Sequence, residues 1–318
     1  MKQEEVIILC KECNFDAVKA SSLKLEASGR EYWRVIDADN NSLILCYLSP
    51  LNGDHSNFIA ISKELSKNNI NCSKIVHHNE NLGVTIQHDL GDGDLLSTLN
   101  DDNKIELLKS CLQMLSEIQN SKIDNINKFT KEELLEQMNL FKDIFCNEFL
   151  NVNVDSSIDN LITTTLKTLS AHPWVNCHFD FERRNIILDK NNELTIIDFQ
   201  DMRIGPIGID LAGILVDHYN EVDTHLIRDL LKFYSNQVES KYSENDYFEF
   251  LRWGAIQRNL RILGTLANLY LSKNRTFRLK DLPLILSNLI QMIPKNHPSR
   301  EFLIDTVSPI LNKTVSEI

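Results

Sequence analysis

His178, Asp180 and Asn185 stand at the spacing H-x-D-x-x-x-x-N, and a further acid, Asp198, closes an apolar run downstream. These residue types suit phosphoryl transfer. That reaction needs a group to orient the attacking hydroxyl and accept its proton, and hard oxygen ligands for Mg²⁺. Asp180 fits the first role, and Asn185 and Asp198 fit the second. The spacing is that of a kinase catalytic loop followed by its metal-binding acid. Short patterns also arise by chance, and a surface loop beside a buried hairpin is the plainer reading. Context favours the chemistry. Ile186-Ile187-Leu188 and Leu194-Thr195-Ile196-Ile197 read as apolar strands, with Asp189-Lys190-Asn191-Asn192-Glu193 as turn residues between them. Antiparallel pairing sets the start of the first strand beside the end of the second. Asp180, Asn185 and Asp198 are therefore expected at one end of one hairpin.

The elements that must position these residues come from hydrophobic period. Residues 1–25 read as helical, with Val6, Ile7, Leu9, Cys10, Phe15, Val18 and Leu23 near helical spacing. A hairpin follows: Leu25 to Val35 gives a strand end, a small-residue turn and a strand, and Ser42 to Leu48 is a buried strand. Phe58 to Leu65 is a short helix, and Gly83 to Gln87 a strand. From Asn103 the chain turns helical, through Leu134 to Phe145 and Leu161 to Leu169. After the catalytic hairpin, helices are expected over Ile209 to Tyr219, 225–236, 246–271 and 281–292. Asp210 opens the first of these, where an acid favours a helix N-terminus.

The run His178 to Asn185, then Ile197-Asp198-Phe199-Gln200-Asp201, Gly205-Pro206 and Ile209-Asp210-Leu211, resembles the aminoglycoside phosphotransferase and choline kinase-like superfamily. Within it the chain looks most like the bacterial anomeric N-acetylmuramate/N-acetylglucosamine kinases of cell-wall recycling. Arg184-Asn185 and Gln257-Arg258-Asn259-Leu260-Arg261-Ile262-Leu263-Gly264 are similar to that group, as are Ala27-Ser28, Arg30, Tyr32 and Arg34. The resemblance implies an α+β, two-lobe protein-kinase-like fold. A small β-rich nucleotide-covering lobe would span residues 1–88, and a large helical catalytic and substrate-binding lobe residues 89–318. ATP and Mg²⁺ would sit in the cleft between them. It further implies that Asp180 is catalytic, that Asn185 and Asp198 hold metal, and that His178 and Asp210 brace the loop. Ser28, Gly29, Arg30, His88 and Asp89 would bind nucleotide, the last two beside a hinge at Asp89-Leu90-Gly91. Arg184, Gln137, Gln200 and Arg258 would bind substrate. The chain departs from the wider pattern in two places. No Lys stands between Leu43 and Leu48, where protein kinases carry one, and Arg30 or Arg34 is the candidate to replace its charge. Gln137, with Glu136 adjacent, stands where the sugar kinases have Glu.

Composition bounds the partners. The chain has 318 residues, 42% hydrophobic and 25% charged, with 10 Gly and 7 Pro. That is an ordinary globular balance. The formal net charge of -12 argues against nucleic-acid binding, which needs basic patches. No apolar run approaches membrane-span length, and the acidic start Met1 to Glu5 makes a poor signal peptide, so a cytoplasmic location is expected. Seven scattered cysteines, including a lone C-x-x-C at Cys10 and Cys13, are expected to be reduced thiols. The expected partners are ATP and a small-molecule sugar, with no nucleic acid and no membrane; the oligomeric state is left open. The expected activity is ATP-dependent phosphorylation of the anomeric hydroxyl of N-acetylmuramate or N-acetylglucosamine. Two rivals stand beside it: another small-molecule kinase acting on an aminoglycoside or small alcohol, and a catalytically impaired kinase-like binding protein.

Overall fold

A computed structural model of the chain describes residues 1–23, 29–124, 126–189, 193–238 and 241–318. In chain order it begins with α1 (Gln3–Glu12), β1 (Ala17–Ser22), β2 (Glu31–Asp37), β3 (Ser42–Tyr47), α2 (Ser56–Lys67), β4 (Ile75–Asn79), β5 (Val84–His88) and α3 (Leu95–Thr98). Next come α4 (Lys104–Asn120), α5 (Lys131–Leu140), a wider π-helical segment over Phe141–Phe149, α6 (Ser156–Ala171) and β6 (Trp174–Cys177). The hairpin β7 (Ile186–Leu188) and β8 (Leu194–Ile196) follows, then β9 (Arg203–Pro206) and α7 (Gly208–Leu215). The chain ends in α8 (Thr224–Gln237), α9 (Glu244–Lys273), α10 (Leu282–Met292), α11 (Ser299–Phe302) and α12 (Ser308–Glu317).

The chain divides into two compact units. The first comprises Met1–Leu99, Ser121–Asp124 and Arg183–Met202; the second comprises Asn100–Asn120, Asn125–Glu182 and Arg203–Ile318. The hairpin β7–β8 thus groups with the N-terminal sheet, although it follows the 88/89 cut drawn from sequence.

In the first unit an antiparallel sheet runs in the order β1-β2-β3-β5-β4. Alternate residues along a strand face opposite sides. Trp33, Val35, Leu45 and Ile86 point into a core closed by Val6 and Cys10 of α1. Tyr32, Arg34, Ile44 and Cys46 take the other parity, and the register sets Tyr32 opposite Cys46 and Arg34 opposite Ile44. Residues 1–25 do not form one helix: Asn14 adopts a left-handed φ of 60°, α1 stops at Glu12, and Ala17–Ser22 pairs with β2. Asn tolerates that conformation better than most residues, so the helical spacing of Phe15 and Val18 is overridden by strand pairing.

In the second unit β6 pairs with β9, and the long helix α9 packs across α7. The crossing is made at two glycines. A Cβ on Gly254 would lie 2.2 Å from the Gly208 carbonyl oxygen, and one on Gly208 would lie 1.8 Å from that of Phe250. Backbone therefore touches backbone, and α9 is drawn in far enough for its next turn to reach the loop after β6. All seven cysteines are buried. Among the described residues no helix is long and apolar enough to cross a membrane.

Candidate active site

The loop after β6 is held by one buried acid. Asp210, in the first turn of α7, accepts the His178 N–H at 2.5 Å and the Phe179 N–H at 2.8 Å. Burial raises its carboxyl above the usual range, against the pull of His178 and these two backbone donors. Phe179 needs the restraint: its φ is +67°, uncommon for a bulky side chain and the kind of strain that gathers at functional sites. Its ring lies 4.7 Å from that of Phe129 and close over Gly205, where a Cβ would come within 2.6 Å. One turn along α7, a Cβ on Gly213 would meet the Phe181 carbonyl oxygen at 2.5 Å, so the helix packs directly on loop backbone.

This loop presents Asp180 to two arginines of α9. Arg261 Nη2 lies 2.9 Å from Asp180 Oδ1 and Arg258 Nη1 3.3 Å from the same oxygen. Arg258 also donates to the Phe179 carbonyl at 3.1 Å and pairs with Glu182 at 2.6 Å. Glu182 in turn lies 3.5 Å from His218 Nε2. Arg258 and Glu182 side chains are 1% and 5% exposed, whereas Arg261 is 21% and Asp180 43% exposed. Burial alone would push the Asp180 carboxyl up, but Arg261 and then Arg258 outweigh it and bring it down to about 2. Asp180 is therefore a carboxylate at any physiological pH.

In the first unit a cavity of about 240 Å³ is lined by residues of β2, β3, the run after β5, and the β7–β8 hairpin. Leu23, Ile44, Ile187 and Ile197 give it apolar walls that suit a flat heterocycle, with Asn185 and Asp198 supplying polar groups. The hairpin is registered Ile186 to Ile196, and the Ile197 N–H donates to the Asn185 carbonyl at 3.0 Å. Asn185 and Asp198 thus flank the same end of it. Asp198 has a left-handed φ of +61°, and Gln200 Nε2 donates to its Oδ1 at 2.7 Å. Gln200 is itself buried, and its Oε1 has no partner. Among the described residues no group of three or more His, Cys, Asp and Glu side chains forms a metal cluster. An amide and one carboxylate are what Mg²⁺ takes from a protein when phosphates and water complete its shell, so Asn185 and Asp198 fit that ion.

His88 and Asp89 line the cavity, but the Asp89 carboxylate grips Arg34 bidentately, at 2.7 and 3.1 Å, and accepts from Ser42. Arg34 reaches Asp92 as well, at 2.8 Å, so it ties β2 to the hinge run while lining the cavity. Two residues on from Ile44, on the same strand face, stands Cys46, whose thiol burial pushes up to about 11. That strand face therefore carries a neutral group. Arg30 shares the parity of Tyr32 and Arg34, and its charge acts on both Tyr32 and Cys46. Gly29 has a φ of +75°. Ser28 lies outside the described residues. Arg184 is half-buried in the turn before β7, and Gln137 accepts from the buried Gln257 at 2.8 Å. Arg258 is corrected from a substrate contact to a buried brace, because its guanidinium is spent on Glu182, Asp180 and Phe179. Gln200 likewise braces Asp198. Glu182 and Arg261 were missing from the expected site; the i,i+3 spacing of Arg258 and Arg261 was the available signal.

The chain belongs to the phosphotransferase enzyme family, which it matches over residues 20–245. Its fold is the two-lobe kinase-like fold of that family. A spectinomycin phosphotransferase solved with ADP and spectinomycin superposes with a TM-score of 0.64, at 15% identity, covering 99% of this chain and 98% of that one. Two curated relatives are more specific. The N-acetylmuramate/N-acetylglucosamine kinase of Neisseria meningitidis serogroup B is 24% identical over 292 residues, 87% of this chain and 86% of its own. The protein of the same name from Pseudomonas aeruginosa is 23% identical over 278 residues, 84% and 81% respectively.

Proposed function

We propose that this phosphotransferase is an ATP-dependent sugar kinase acting on the anomeric hydroxyl of N-acetylmuramate or N-acetylglucosamine. The observation that carries the reading is the double arginine pairing of Asp180, at 2.9 and 3.3 Å. A cationic acceptor would need carboxylates to pair its ammonium groups once desolvated. Here the central carboxylate already has two cations beside it. Arginine suits neutral, anionic or phosphorylated partners instead. The names of the two curated relatives support the same acceptor.

In this reading Asp180 orients the acceptor hydroxyl and receives its proton as the new P–O bond forms. ATP occupies the cavity of the first unit, its base between the apolar walls and against the His88–Asp92 run. Asn185 and Asp198 would hold Mg²⁺, and the bound ion neutralises charge on the phosphates. Arg30 supplies the phosphate-facing cation that β3 lacks. Residues 1–88 serve as the nucleotide-covering part and 89–318 as the catalytic and substrate-binding part. The product is a sugar 1-phosphate, made in the cytoplasm for reuse in peptidoglycan precursors. The test is ATP consumption over N-acetylmuramate, N-acetylglucosamine, choline and kanamycin, with the phosphorylated position read by NMR. A C1 phosphate on either amino sugar supports the reading; phosphorylation of kanamycin with neither amino sugar turned over refutes it.

A further inference from the structure

The paired arginines bear on which hydroxyl can react. Both guanidinium groups converge on one oxygen, Oδ1, of Asp180. Arg258 is immobilised behind it by Glu182 and the Phe179 carbonyl, while Arg261 is the partly exposed member, one turn further along α9. A carboxylate gripped in this way has a fixed orientation and a weakened appetite for a proton. General-base catalysis is most effective when the basicity of the acceptor matches the task. A weak base serves best when the hydroxyl it faces is itself acidic.

We propose that Arg261 is a positioning residue which, with Arg258, makes Asp180 an orienting carboxylate and not a proton reservoir, and so tunes the enzyme to hydroxyls more acidic than an ordinary alcohol. The hemiacetal hydroxyl of a reducing sugar is such a group, because its ring oxygen withdraws electron density from C1. The inference rests on the sugar-kinase reading and deepens it. In the step itself the hydroxyl oxygen forms a bond to the γ-phosphorus while the bond from that phosphorus to the β,γ-bridging oxygen breaks. ADP leaves with the electron pair. The proton passes to Asp180 late, once bond formation has made the hydroxyl strongly acidic, and is then released to water. An acidic hydroxyl reaches that point earlier along the reaction.

Among the described residues, the charged and titratable groups near Asp180 include Arg258 and Arg261 of α9, His178 and Glu182 of its own loop, Asp210 of α7, and His218 beyond Glu182. Removing Arg261 alone changes one of these. The experiment compares wild type, Arg261→Gln, Arg261→Lys, Asp180→Asn and the Asp180→Asn/Arg261→Gln double variant, all checked by circular dichroism. Rates are measured from roughly pH 3 to 9, so that a limb lying below this span in wild type is seen when it rises into the range of a released carboxylate. The acceptors are N-acetylglucosamine and its alditol, in which the same C1 oxygen is a plain primary alcohol. Arg261→Gln should lower kcat by about 10- to 100-fold, with KM for ATP nearly unchanged. Its acid limb should rise by about one to three pH units, the effect of losing a close opposite charge. Its preference for the sugar over the alditol should narrow, Arg261→Lys should recover part of the limb, and Arg261→Gln should add nothing to Asp180→Asn. An unmoved acid limb together with an unchanged sugar-to-alditol ratio overturns the proposal. If neither amino sugar is phosphorylated the sugar-kinase reading fails instead, and the acid limb and double variant are then read with whichever acceptor the screen finds.

Discussion

Gly254→Ala is the smallest perturbation that tests how the site is held. The new Cβ would lie 2.2 Å from the Gly208 oxygen and 2.3 Å from its carbonyl carbon, whereas ordinary contact begins at 3.4 Å. Both obstructing atoms are backbone, so no side chain can swing aside. The helices α7 and α9 must separate by more than about 1 Å. Close-packed interiors resist such movement, and overpacking typically costs about 1–3 kcal/mol. A backbone clash belongs at the upper end, near 3 kcal/mol. For a protein of this size that lowers the unfolding midpoint by about 4–5 °C. Activity should suffer more than stability. Arg258 sits one turn beyond Gly254, and Asp210 sits on α7, so the separation pulls apart the two groups that fix Asp180 and its loop. A displacement near 1 Å can cost about 100-fold in rate. Differential scanning calorimetry with steady-state kinetics at a temperature where the variant is folded would check both. A midpoint within 2 °C of wild type, or full kcat in a destabilised variant, would refute the close-approach argument.

Asp180→Asn should leave the fold intact and cost at least about 10²-fold in kcat, as loss of a positioned general base does; near-normal turnover in a folded variant would remove the assignment. Asp198→Ala should abolish turnover at any practical Mg²⁺ level, and Asn185→Ala should be milder because a neutral amide holds a dication less strongly than a carboxylate; activity unaffected by EDTA contradicts both. Arg34→Met should flatten the acid-side fall in stability. Burial would raise the Asp89 carboxyl, but its bonds to Arg34 and Ser42 bring it below the usual range. A lowered folded-state pKa gives stability that is present above the ordinary carboxylate pKa and lost as the pH falls through the folded value. The midpoint against pH, between roughly pH 2 and 6, should therefore be shallower in the variant than in wild type.

Much of the fold was legible because its helices are amphipathic and its hairpins local. The helices at α2, α4, α6, α8, α9 and α10 follow apolar spacing, and β7–β8 follows from a turn sequence between two apolar runs. What escaped notice depends on distant partners. Ala17–Ser22 is a strand because β2 offers it a ladder, not because its own residues favour one. The pairing of Trp174–Cys177 with Arg203–Pro206 closes a long insertion in the chain that no local signal records. The four-residue α11 is too short to show a helical period, and α12 buries Leu311 alone.

The site divides in the same way. Asp180, Asn185 and Asp198 stand out as candidates because phosphoryl transfer calls for those groups within a short span of chain. Their supports were not, since Arg258 and Arg261 reach Asp180 across 78 and 81 residues of sequence. An arginine on an apolar helix reads as either a surface charge or a ligand contact, and only packing distinguishes a third possibility, a buried brace. The backbone shows what the braces resist. Phe179, next to Asp180, and Asp198 both sit at positive φ, where residues other than Gly are disfavoured. Such conformations persist only when the surroundings over-determine them. Asp210 does so at Phe179 with a buried carboxylate on two consecutive N–H groups, and Gln200 holds the Asp198 carboxylate from a buried position. If this is the physical logic, Asp210→Asn should damage catalysis through the loop: the amide keeps one acceptor but cannot receive both N–H groups, so Phe179 should relax toward negative φ. Asp180 would then lose its register with α9, and kcat should fall by about 10- to 100-fold with KM for ATP unchanged. A variant that retained wild-type kcat would show that the loop holds its shape without Asp210.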